Sequence, residues 1–192
     1  DLVILSCGPI QTPVLLKKSG FKSPNIGSNL MLHCNLRFVV LYDKKIESSK
    51  GTIFSHQVQE FEDKGILIMA ANFSEGFLKT SIDKDLNYKE DEDEWFNNSA
   101  IYTTQFKPSG IGSVKSLFSN TIFEINFNKK DLIDIKFSIE QSVRLFFSAG
   151  AKKIILPLQN KITIENLNEL KNILKPLKLD DIELTSVHAM SS

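Results

Sequence analysis

Three histidines, His33, His56 and His188, are of the residue type most often used for proton transfer. A neutral imidazole can take a proton from a substrate as a general base, although a lone histidine is more often a satisfied structural group. His33 follows Leu30-Met31-Leu32 and reads as structural. His56 falls in a strand predicted over residues 52–61, where Ser55, Gln57 and Gln59 share one face and His56 takes the other. It could line a pocket, and reads first as a satisfied sheet histidine. His188 stands in Leu184-Thr185-Ser186-Val187-His188-Ala189-Met190-Ser191-Ser192, at the end of a segment predicted extended from Ile182. Ser6-Cys7-Gly8 offers different chemistry: Gly8 has no side chain to hold a ligand away, and a helix start beyond it presents free N–H groups. That is the composition of a phosphate or cofactor turn, and equally of an ordinary strand-to-helix connection. Glu90-Asp91-Glu92-Asp93-Glu94 reads as a solvated loop or helix end, because contiguous acids repel and do not converge on one cation. No metal site is expected.

The elements that must hold these groups follow from pattern. Leu2-Val3-Ile4-Leu5 is fully apolar and predicts a buried parallel strand. Thr12 is placed to cap the next helix, with Pro13 at its first position and Gly20 at its end. A polar turn over 23–29 leads into a strand over 36–42, and a charged connection over 43–51 follows. Residues 52–61 and 66–71 predict two strands joined by a turn at Glu62-Asp63-Lys64-Gly65. Residues 101–106, 112–116 and 121–127 predict short antiparallel strands. Asp131 opens a helix in which Leu132, Ile135, Ile139, Val143 and Phe146 recur at three- and four-residue steps, ending at Ala149-Gly150. Residues 153–156 predict a strand, and 165–174 a second amphipathic helix stopped by Pro176.

Composition narrows the classes. Lys plus Arg and Asp plus Glu are each 23, so no net field favours nucleic acid or an anionic membrane. The apolar content of 42% is ordinary for a globular chain. No apolar run approaches the roughly 20 residues of a membrane helix. Two cysteines, Cys7 and Cys34, are too few for a disulfide framework. Both read as reduced core residues, Cys7 in the buried turn, and a reducing cytoplasm is the default compartment.

The string Gly8-Pro9-Ile10-Gln11-Thr12-Pro13-Val14-Leu15-Leu16, followed by Ser19-Gly20-Phe21, resembles the second signature of the glucose–methanol–choline (GMC) oxidoreductases. The family usually carries one more glycine where this chain has Lys22. Gly27-Ser28-Asn29-Leu30 with His33 resembles a family loop. Ser55-His56-Gln57-Val58-Gln59-Glu60-Phe61, Gly110-Ile111-Gly112-Ser113-Val114 and Phe147-Ser148-Ala149-Gly150-Ala151-Lys152 resemble its long-chain alcohol oxidase-like branch. The His188 segment is similar to the family's catalytic histidine segment. The resemblance implies FAD as cofactor, Ser6, Cys7, Gly8 and Thr12 as cofactor-binding residues, and His188 as the base that deprotonates an alcohol. It implies a small-molecule alcohol as substrate and oxygen, a quinone or a cytochrome as electron acceptor.

The resemblance also implies a C-terminal fragment. The family's Gly-rich dinucleotide turn, absent here, would lie upstream, and a second catalytic His or Asn downstream. The expected class is α/β plus α+β: a returning segment of an FAD-binding Rossmann-like domain (1–35), an antiparallel-sheet substrate-binding domain with helices (36–180), and the start of the catalytic return segment (181–192). The alternative is a non-catalytic, degenerate substrate-binding domain of the same fold.

Overall fold

A computed structural model describes residues 2–52, 54–71, 74–81, 92–117 and 120–191. They form a mixture of helices and antiparallel strands, and no helix among them is long and apolar enough to cross a membrane. The chain divides into two compact units, one of residues 1–34, 107–133 and 186–192, the other of residues 35–106 and 134–185. Residues 107–133, which the sequence places within 36–180, thus pack with the N-terminal segment.

In the larger unit, β1 (Met31–Tyr42) runs through the middle of a seven-stranded sheet, contributing residues 35–42 to this unit. The sheet order is β2 (Gln57–Val58), β3 (Ile66–Ala71), β4 (Ser99–Phe106), β1, β7 (Ala151–Ile155) and β8 (Thr163–Ile164), with β9 (Leu184–Ser191) also pairing with β1. β3 matches its predicted bounds and pairs antiparallel with β4, Ile66 opposite Phe106. The predicted 52–61 strand shrinks to Gln57–Val58. Phe54 takes a left-handed φ of 51° and its N–H donates to the Ala70 carbonyl, while Gln57 and Val58 pair in register with Met69 and Ile68.

Helix α4 (Lys129–Ser148) covers this sheet with the predicted stripe. Ile135, Ile139, Val143 and Phe146 are fully buried, each worth about 1.5–3 kcal/mol of transfer free energy. The Phe146 ring meets Phe38 edge-on at 5.4 Å and lies tilted against Tyr102 at 4.6 Å. One polar contact crosses this layer, a 2.6 Å hydroxyl–hydroxyl bond between buried Thr104 and Ser142. Helices α2 (Glu75–Ser81) and α3 (Glu92–Asn98) supply Leu78, Trp95 and Phe96 around Val39, Ile101 and Ile155. Glu94 of the acidic run pairs with Lys152 at 3.4 Å, while residues 82–91 lie outside the described set. Helix α5 (Leu167–Leu174) is capped by the Asn166 side chain, which accepts from the Asn168 N–H, and stops before Pro176.

The smaller unit contains α1 (Gly8–Lys18) and the hairpin of β5 (Gly112–Leu117) and β6 (Asn120–Ile125). At its edge α4 begins two residues before Asp131, with Asn128 and Asp131 capping each other. Asn128 Oδ1 accepts from the Lys130 and Asp131 N–H groups, and Asp131 Oδ2 accepts from the Asn128 N–H at 2.8 Å. The same carboxylate also accepts from the Ser109 N–H, the Ser109 hydroxyl and the Gly110 N–H. This holds Gly110 so close to the hairpin that a Cβ there would lie 1.8 Å from the Asn126 carbonyl oxygen.

Asp131 is buried, which by itself raises its pKa, but the hydrogen bonds from Asn128, Ser109 and Gly110 outweigh that and hold the carboxyl below its ordinary value. A carboxyl with a depressed folded-state pKa stabilises the fold fully above its unfolded pKa, and that stabilisation is lost as pH falls through the folded value. Asp131→Asn is therefore expected to cost on the order of 3 kcal/mol in urea unfolding at neutral pH. The gap between variant and parent is expected to narrow as pH drops below the ordinary carboxylate value of 3.8.

Candidate functional site

The turn before α1 differs from the sequence expectation in three ways. Leu2-Val3-Ile4-Leu5 is not a strand and is exposed, and among the described residues no strand pairs with it. Cys7 is exposed rather than buried. Thr12 is no cap: α1 already starts at Gly8, with Pro9 in its first turn and both Thr12 and Pro13 inside it. Gly8-Pro9 carries the same start signal as Thr12-Pro13, and proline fits the first turn of a helix because it removes only a donor that has no partner there. At the other end Gly20 closes the helix as predicted. Its φ is +87°, its N–H reaches the Lys17 carbonyl, and the Phe21 N–H reaches the Leu16 carbonyl.

The start of α1 is open. No side chain caps it, its first turn holds no acidic residue, and Ser6, Cys7 and Gly8 are exposed. Gly8 takes φ +74° with nothing within 4 Å of where a Cβ would stand. The Gly8 and Ile10 N–H groups precede the first intrahelical bond, and Thr12 follows Gly8 by one turn on the same face. Such a turn can receive an anionic group.

The helix behind that turn shares an anchor with the His188 strand. Val14 of α1, Leu30 and Val114 form a buried cluster, and Ile10, Leu32, Ile125 and Ala189 pack against it. Ala189 is therefore the inward residue of β9, and His188 and Met190 on its either side are exposed. The loop leading to β1 is tied to β5 by backbone. Leu30 and Gly112 exchange N–H···O bonds of 3.0 and 2.9 Å, and the Val114 N–H donates to the Gly27 carbonyl at 2.7 Å.

β1 begins at Met31, five residues earlier than predicted, and this converts His33 from a loop residue into a strand residue beside β9. The His33 and His188 rings meet edge to face, with centroids 6.2 Å apart and planes at 86°. Strand pairing between distant segments brings them together, and no local sequence signal carries that information. His56 belongs to the larger unit and is exposed, its Nδ1 3.1 Å from the Ser55 hydroxyl. Among the described residues no three His, Cys, Asp or Glu side chains converge as a metal site.

The two cysteines differ sharply. Cys34 is buried in the smaller unit, and burial, then the negative charge of Asp131, pushes its thiol up to about 11. The expected result is one thiol reacting with Ellman's reagent at pH 8 in the folded protein and two after unfolding. Cys7→Ser is expected to remove the reaction of the folded state.

Residues 1–35 match a family model described as GMC oxidoreductase. The chain is 25% identical over 193 residues to an uncharacterized GMC-type oxidoreductase of Mycobacterium tuberculosis, covering 98% of this chain and 30% of that protein. It is 24% identical over 196 residues to an uncharacterized GMC-type oxidoreductase of Sinorhizobium fredii, covering 100% of this chain and 38% of that protein. A long-chain-alcohol oxidase of Arabidopsis thaliana is 25% identical over 170 residues, covering 80% of this chain and 23% of the plant protein. The chain thus spans well under half the length of the curated relatives it matches.

Proposed function

We propose that this chain, a homologue of the GMC-type oxidoreductases, serves as the part of an FAD-dependent alcohol oxidoreductase that carries the proton-accepting histidine and one turn of the flavin site. The observation that carries the proposal is the common anchor of α1 and β9. The open turn at Gly8 and the exposed His188 belong to one compact unit and are fixed through the same buried cluster. On this reading residues 1–35 are the returning segment of a Rossmann-like FAD domain, and residues 36–180 are the substrate-binding domain.

Oxidation of an alcohol removes a hydride from C–H and a proton from O–H, and no protein side chain accepts hydride. Bound FAD would supply that two-electron acceptor. The residues of the α1 turn fit its anionic part. The turn is uncapped and free of acids, Gly8 leaves room, and the Gly8 and Ile10 N–H groups are directed by the helix start. Ser6 and Cys7 would line the approach, and Thr12 would add a hydroxyl one turn on. A neutral imidazole nitrogen of His188 would accept the hydroxyl proton as the C–H bond breaks. The name of the plant relative, a long-chain-alcohol oxidase, supports an alcohol as substrate. Oxygen, a quinone or a cytochrome would then take the electrons.

The test is His188→Asn in the whole protein that contains this chain. Asparagine keeps a polar group but accepts no proton at neutral pH. Turnover with alcohols is expected to fall about 10²- to 10⁴-fold while flavin remains bound. Full turnover in the variant rules out His188 as base. A parent protein that holds no flavin would move the chain to the non-catalytic alternative.

A further inference from the structure

We infer that His33 is a positioning residue for His188, an inference that rests on the role of His188 proposed above. The imidazole of a base must keep one nitrogen within hydrogen-bond reach of the hydroxyl. Rotation about the second side-chain torsion of histidine is soft and roughly two-fold, so an exposed imidazole is not oriented by its own chain. His188 is exposed, and among the described residues the contact that orients its ring is the edge of His33. A centroid separation of 6.2 Å at 86° falls within the range of about 4.5–7 Å over which edge-to-face rings attract.

His33 is well placed to hold another ring. It is half-buried, its neighbour Leu32 packs against the Val14, Leu30 and Val114 cluster, and its other neighbour Cys34 is buried. The strand on one side of the pair is therefore fixed by packing, while the ring on the other side faces solvent. Nothing in this arrangement requires the His33 nitrogens. The aromatic edge is sufficient, which sets His33 apart from a second base.

Three variants of the whole protein decide the matter: His33→Ala, His33→Phe and His188→Asn. Each is examined for kcat and KM with a primary alcohol, and the two His33 variants also for ring motion at His188, by carbon relaxation in protein labelled at histidine Cε1. His33→Ala is expected to lower kcat about 10- to 100-fold with little change in KM, because misplacement of a reacting group acts on the chemical step. The His188 ring is expected to become mobile. His33→Phe, which retains an aromatic edge, is expected to restore most of kcat and the ordered ring. Parental kcat and ring order in His33→Ala overturn the proposal, and so does a His33→Phe variant as impaired as His33→Ala. Retained turnover in His188→Asn would instead sink the base assignment, and the ring-relaxation data would still decide whether His33 orders the His188 ring.

Discussion

Gly112 lies where three backbones come within contact distance. It exchanges two hydrogen bonds with Leu30, and a Cβ on it would stand 2.5 Å from the Glu124 carbonyl oxygen and 2.9 Å from that of Leu30. Two residues along β5, the Val114 carbonyl would meet a Cβ on Gly27 at 2.6 Å, and Gly27 has a left-handed φ of 74°. Only glycine satisfies both positions. This close approach seats Leu30 and Val114 on Val14, and the cluster so formed receives α1 from one direction and Ala189 of β9 from another. The positions of the Gly8 turn and of His188 within the smaller unit both descend from that contact. Asp131 guards the neighbouring stretch by gathering the donors of Ser109, Gly110 and Asn128 onto one buried carboxylate.

The larger unit depends on a conventional apolar layer into which partnered polar groups are set. Arg37 pairs with Glu183 at 2.9 Å, Lys161 pairs with the other oxygen of the same carboxylate, and the Arg37 guanidinium lies over the Phe77 ring at 5.0 Å. Burial lowers the pKa of Arg37, and its guanidinium has both a carboxylate and an aromatic face as partners. Tyr42 and Tyr102 share a hydroxyl contact of 3.1 Å, and burial first, then that contact, raises the pKa of Tyr42. These are partnered polar groups in a packed sheet.

Elements whose information is local were legible in the sequence. The stripe of α4 is a periodic signal running from Leu132 to Phe146, and Gly20, Gly65 and Gly150 stand at left-handed positions that end a helix or turn. The β3 strand is an unbroken apolar run beside a turn. Illegible parts depend on distant segments or on degenerate signals. Two Gly/Thr-Pro pairs could each start α1, and the earlier one does. Phe54 adopts a backbone conformation that its residue type does not announce. Leu2–Leu5 has strand composition, but among the described residues no strand pairs with it. The candidate site divides the same way. His188 stood out through its segment's likeness to a known one, whereas His33 gained meaning only when β1 and β9 were side by side.

The central claim is that His188 takes the proton while a bound flavin takes the hydride. Its most direct test is the rate of flavin bleaching when the whole protein and its His188→Asn variant are mixed anaerobically with an alcohol at neutral pH. The account predicts that bleaching slows about 10²- to 10⁴-fold in the variant while flavin remains bound. The parental rate in that variant would contradict it.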